Sequence, residues 1–179
     1  DDHDHGHNSN DGHIHAVEPH VWNSTGNALI IAGNTYKALS QLDKTNEVYY
    51  RNRYDSLCQR IQHTDSLIRR QLSVPEAAKA FMIYHPALSY FARDYGLHQI
   101  SIEEGGKEPS PAHLKALIDL CQAEDVRVIF VQPEFDKRNA ETIAQQTETK
   151  VIPINPLSYD WEEEMLNVAK ALAPQAATK

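Results

Sequence analysis

The spacing of apolar positions changes twice along this chain. Residues 1–18 consist of Asp, His, Gly, Asn and Ser with almost nothing apolar. Such a segment cannot bury enough surface to offset the entropy of ordering it, so it reads as a His/Asp-rich flexible loop. From Trp22 to Leu42, the residues Leu29, Ile30, Ala32, Tyr36 and Leu39 give a weak helical pattern, diluted by Gly26 and Gly33. Over 46–73 the pattern strengthens. Tyr50, Tyr54, Leu57, Ile61, Ile68 and Leu72 fall on one stripe at helical spacing, and the helix is expected to stop before Val74-Pro75. At 1.5 Å per residue it would be about 40 Å long, more than one small lobe needs.

Beyond residue 79 short apolar runs alternate with amphipathic segments. Strands are predicted at 80–84, 98–102, 127–131 and 150–154. Helices are predicted at 86–95, closed by Gly96, at 111–123, opened by Ser110 and Pro111, at 136–146 and at 160–172. Strand and helix repeated in this way imply parallel strands with right-handed crossovers. The fold class is therefore α/β: a four-stranded parallel sheet flanked by helices over 79–175, preceded by a long linker helix. Ligands of such sheets sit beyond the carboxyl ends of the strands. That rule singles out Tyr84-His85-Pro86, residues 101–106, Gln132-Pro133-Glu134 and Asn155-Pro156-Leu157.

Charge narrows the partners. Lys and Arg number 17 against 25 Asp and Glu, a formal net charge of -8. A nucleic-acid backbone or an anionic membrane is thus a poor main partner. No run of about 18 apolar residues is present to span a bilayer. Cys58 and Cys121 belong to no C-x-x-C pair and both fall in predicted helices. They read as small buried apolar residues rather than a zinc site or a disulfide.

Histidine is the anomaly. Of ten histidines, His3, His5, His7, His13, His15 and His20 all fall within the first twenty positions. The first five alternate with Asp, Gly and Asn, a composition that binds divalent metal loosely rather than in a rigid tetrahedral site. His20 follows Pro19 and precedes Trp22, a side chain whose N–H seeks a partner. His85 stands at the carboxyl edge of the first strand. Neutral imidazole is a common metal ligand, although a lone histidine in either place is more often structural. Glu103-Glu104-Gly105-Gly106 and Glu162-Glu163-Glu164 read as solvated acids. No H-E-x-x-H, phosphate-loop or G-x-S-x-G motif is present.

Several stretches together resemble the zinc/manganese solute-binding proteins of ABC transporters. Glu18-Pro19-His20-Val21-Trp22 is similar to that family's Asp-Pro-His-x-Trp motif. Phe81 to Phe91, with His85-Pro86-Ala87-Leu88-Ser89-Tyr90-Phe91, resembles its His-Asp-Ala-x-x-Tyr-Phe stretch. Glu108-Pro109-Ser110-Pro111, Ile129 to Phe135 and Ile154-Asn155-Pro156-Leu157 resemble three further landmarks in the same order. The resemblance covers residues 17–173, and a His-rich loop ahead of the Pro-His motif is typical of the zinc-importing members.

The resemblance implies two α/β lobes joined by the long helix 46–73, with metal held in the cleft between them. Residues 19–45 would be a remnant of the N-terminal lobe, and the chain the C-terminal portion of a longer protein, with a further ligand histidine in the missing lobe. It implies His20 and His85 as metal ligands. Asn155 stands where many members carry a ligand Asp, and either a water or a nearby carboxylate such as Glu103 would take over the position. The implied cargo is Zn²⁺, with Mn²⁺ less favoured because imidazole suits zinc. Affinity should fall as pH drops through about 6.5. The implied partner is an ABC permease, the place is the periplasm or another extracytoplasmic site, with or without a lipid anchor ahead of residue 1, and the protein is not an enzyme. Residues 20–45, lacking their natural sheet, would leave an apolar patch that invites self-association. Two alternatives stay open: a zinc-dependent hydrolase using His20, His85 and Glu103, and a metal-buffering or adhesion protein working through its His loop.

Overall fold

The structure, a computed structural model, describes residues 17–173. The five early histidines, and with them residues 1–16 of the expected loop 1–18, lie outside the described residues. Two long helices come first, α1 (Thr25–Leu42) and α2 (Glu47–Leu72), joined by a short 3-10 turn over Lys44–Asn46. Strands and helices then alternate: β1 (Ala80–Ile83), α3 (Ser89–Tyr95), β2 (His98–Ser101), α4 (Pro111–Ala123), β3 (Val128–Val131), α5 (Arg138–Thr147), β4 (Lys150–Pro153) and α6 (Trp161–Leu172). All strand pairs are parallel, in the spatial order β2-β1-β3-β4. The expected α/β architecture is the one observed.

The period-two side-chain alternation of the strands builds two cores. Phe81 and Ile83 of β1 and Phe130 of β3 face α2, α3 and α6, where they meet Ile68, Leu72, Phe91, Met165, Val168 and Leu172. Met82 and Tyr84 point the other way with Ile129 and Val131, against Leu117, Cys121 and Ile143 of α4 and α5. Burial on both faces is what lets short, continuously apolar strands form a parallel sheet. Cys121 is a buried free thiol in the second core, whereas Cys58 is free and half-buried on α2.

Two local signals act as read, and the structure adds a third cap at Ser24. Ser110 accepts the His113 N–H with Pro111 at the first helical position. Gly96 closes α3 at φ 65°, a left-handed conformation that a side chain resists. Ser24 caps α1 by accepting from Asn27 N–H. Several element ends shift by one to three residues, and the start of α3 has a visible cause. The helix expected from residue 86 starts at Ser89, because Ala87 N–H turns back to His85 carbonyl and Leu88 N–H goes to the Gln99 side chain.

The long helix divides into two environments. Ile61, Thr64, Ile68 and Leu72 are buried, the last two in the core shared with the sheet and α6. Further toward the N-terminus the same stripe leaves the core: Leu57 is exposed, and Tyr50 and Tyr54 are half-buried. There α2 lies against α1 and the 3-10 turn, with Tyr36 stacked on Tyr54 at 4.9 Å. Ile30, Ile31, Leu39, Leu42, Val48 and Tyr49 of the α1–α2 pair are exposed, Leu42 by 86%. An open apolar cavity of about 570 Å³ runs along this pair.

The sheet core depends on the edge-to-face pair Phe81–Phe130, 5.5 Å between centroids. Both rings are fully buried. Phe130→Ala is expected to cost about 3–5 kcal/mol, seen as a lower midpoint at unchanged slope in urea unfolding.

Candidate metal centre

The strand order places a topological switch between β1 and β3: from β1 the chain goes to one side for β2 and to the other for β3. A crevice opens at the carboxyl ends of such a pair. His85 follows β1 there, and Gln132 follows β3. The crevice forms a cavity of about 300 Å³ whose lining includes His20, Trp22, His85, Gln132, Phe135 and Pro156. Three of the four sequence-selected places thus contribute lining residues to one cavity, and the fourth is linked to it through the Glu103 contact with His85 Nδ1.

His20 reaches this crevice from the segment ahead of α1, which is tied down at several points. The Trp22 indole N–H donates to Pro156 carbonyl at 2.8 Å, and the Trp161 indole N–H donates to Trp22 carbonyl at 2.8 Å. The Asn23 amide donates to Ala87 carbonyl, and the Tyr90 hydroxyl to Glu18 carbonyl. Each contact crosses a large sequence separation, so the loop carrying His20 is docked on the same body that carries His85.

Both imidazoles are oriented by carboxylates. His20 Nδ1 is paired with Glu18 Oε1, and His85 Nδ1 lies 3.0 Å from Glu103 Oε2. An ionised carboxylate only accepts, so the network assigns the proton of each neutral ring to Nδ1. That leaves both Nε2 atoms as lone-pair donors, and they face each other at 3.2 Å. Two lone pairs so placed repel unless a cation or a proton is shared between them. Two zinc–nitrogen bonds of 2.0–2.1 Å at the tetrahedral angle would set the nitrogens about 3.3 Å apart, so the observed spacing suits one zinc ion bound by both.

Burial acts to raise the Glu18 carboxyl. The His20 backbone N–H, the Ser89 hydroxyl and the His20 ring outweigh it and hold the group below the ordinary carboxylate value. The His85 ring also stacks on Phe135, 5.5 Å between centroids and 24° between planes, and Phe135 stacks in turn on Tyr84.

Of the sequence candidates, His20 and His85 are brought together and the other two are not. Glu103 is only 10% exposed and is engaged with His85 Nδ1, behind the ligand rather than beside it. Asn155 is exposed, and its side-chain oxygen accepts the Leu157 N–H while its own N–H goes to Glu164. Its neighbours Pro156 and Leu157 line the cavity instead. Among the described residues no group of three or more His, Cys, Asp or Glu side chains is placed to hold one metal ion. The sequence reading gives Glu18, Gln132 and Phe135 no role of their own, although Gln132 stands in one of the four selected places. The available signal for Glu18 was a carboxylate two residues before a candidate ligand, a common arrangement for holding a metal-binding imidazole.

Comparison with known proteins follows the same line. The family model for the periplasmic zinc-uptake complex component A, ZnuA, matches residues 1–173. The zinc-binding protein AdcA of Streptococcus pyogenes serotype M1 is 28% identical over 165 residues, 91% of this chain and 32% of that protein. The high-affinity zinc uptake system protein ZnuA of Bacillus subtilis is 31% identical over 152 residues, 84% of this chain and 47% of that protein. A crystal structure of ZnuA superposes with a TM-score of 0.82 at 32% identity, covering 87% of this chain and 62% of that one. The chain therefore spans about a third to a half of these curated relatives.

The depressed Glu18 carboxyl has a pH consequence. A lowered folded-state pKa contributes stability that is present above the ordinary value of 4.5 and is lost as pH falls through the folded value. In Glu18→Gln that increment is expected to vanish. Urea midpoints followed downward from pH 6 should fall less steeply below about pH 4.5 than in the parent.

Proposed function

This chain belongs to the zinc-uptake complex component A family, and from that premise we propose that it is the zinc-binding part of an extracytoplasmic solute-binding component of an ABC metal importer. His20 and His85 are the zinc ligands, and the ion is cargo, held for delivery to a membrane permease. The observation that carries this reading is the pair of Nε2 atoms at 3.2 Å with each Nδ1 held by a carboxylate. Nitrogen donors of this kind favour zinc over manganese, which prefers oxygen. Among the described residues no helix is long and apolar enough to cross a membrane, which suits a partner protein rather than the permease itself.

Glu103 argues against hydrolysis. A hydrolase would need it free as a base beside an activated water, and here it is committed to the back of His85. The His-rich segment 1–15 is then an accessory that raises local zinc concentration, not the binding site.

Two imidazoles do not close a tetrahedral site, so this chain alone should bind zinc weakly. Competition with a zinc-sensitive chelator is expected to show affinity falling by at least about tenfold in His20→Ala and in His85→Ala, since even supporting residues cost that much. Removal of residues 1–15 should leave this component unchanged. Nanomolar affinity persisting in His85→Ala would sink the assignment, and loss of all binding on deleting 1–15 would favour a buffering role.

The open α1–α2 face is the surface that the implied first lobe would cover. In the chain by itself we expect Ile30, Leu42, Val48 and Tyr49 to drive self-association. Sedimentation velocity over a wide concentration range should show a rising average mass, and a clean monomer at high concentration would contradict it.

A further inference from the structure

We propose that Gln132 is a positioning residue for His85, using its side-chain amide as a substitute peptide group to extend the β1–β3 ladder past the end of both strands. The inference rests on His85 being a zinc ligand. Ile83 and Phe130 are register partners in the sheet. Two residues further along each strand, on the same face, come His85 and Gln132. The last backbone bond of this pairing is Tyr84 N–H to Phe130 carbonyl, 3.0 Å. Beyond it the ladder stops: Tyr84 carbonyl accepts Glu103 N–H instead, and Pro86, the next residue of the β1 chain placed to donate to Gln132 carbonyl, has no N–H.

The Gln132 amide takes over at that point. Its Nε2 donates to His85 carbonyl at 2.6 Å, and its Oε1 faces His85 N–H at 3.4 Å. Both main-chain groups of His85 are thereby held by one side chain that is only 3% exposed. A buried amide is costly unless its donor and its acceptor are both used, so its presence here has a specific purpose. The Glu103 bond fixes how the His85 ring is rotated, and the Gln132 pair fixes where its Cα stands. A ligand histidine needs both, because the opposing His20 Nε2 is already tied in place.

Gln132→Met keeps the length of the side chain and removes both hydrogen-bonding functions. Zinc affinity, measured by chelator competition, is expected to fall on the order of tenfold to a hundredfold, the range usual for residues that support a metal ligand. In ring-selective nitrogen–proton NMR the His85 imidazole signals should shift and broaden while those of His20 stay sharp. Should the Met variant fail to fold, Gln132→Asn retains a buried amide but is one methylene too short to reach both groups, and the same pattern is expected. Zinc affinity within twofold of the parent in a folded variant would overturn the proposal. So would equal broadening of both rings, which marks a general loss of structure. Parent-like zinc binding by His85→Ala would instead overturn the ligand assignment itself, whatever Gln132 does.

Discussion

Two imidazole nitrogens that both carry lone pairs do not stay 3.2 Å apart of their own accord. The carboxyl edge of this protein is organised around holding them there. Each ring is held from behind by an acidic side chain, Glu18 for His20 and Glu103 for His85. Those carboxylates do two things. They keep the proton on Nδ1, which leaves Nε2 free to bind, and they place negative charge where a divalent cation would benefit from it. The arrangement is unfavourable to itself and favourable to a cation, which is the requirement for a capture site.

Rigidity for this arrangement comes from the sheet. The β1–β3 switch point supplies His85 and Gln132 from adjacent strand ends, on a scaffold buried on both faces. The His20 loop has no regular structure of its own. It borrows order from the lobe through the Trp22–Pro156 and Trp161–Trp22 bonds and the Asn23 and Tyr90 contacts. Buried side-chain bonds to backbone carbonyls are effective here because each satisfies a polar group that a loop would otherwise leave unpaired. The two histidines therefore belong to one body.

That pair shows what a stripe of apolar residues can and cannot mean. Tyr50, Tyr54, Leu57, Ile61, Ile68 and Leu72 share one face of α2, and their spacing alone makes them a single core-facing stripe. Only the half from Ile61 onward reaches the core of the described residues. The remainder opens on a cavity shared with α1. Helical period reports which residues share a face. It carries no information on how far along the helix a partner extends.

Local chemistry was sufficient for much of the molecule. The four strands, the Ser110–Pro111 helix start, the Gly96 stop and the carboxyl-edge places follow from side-chain period and backbone preference, properties that act over a few residues. His20 and His85 also stood out, by motif and by place at a strand end. The roles of the surrounding residues were not legible. Glu103 was read as a substitute ligand and lies behind His85 instead, while Asn155 spends its oxygen on Leu157 and leaves the crevice to Pro156. Glu18 had one local sign, its place two residues before His20, whereas Gln132 and Phe135 had none. Their partners lie at other points of the chain, His85 being 65 residues from His20 and 47 from Gln132. A side chain becomes a ligand, an orienting group or a clamp according to the hydrogen-bond partner it meets, and that partner is chosen by the strand order and the docking of the loop.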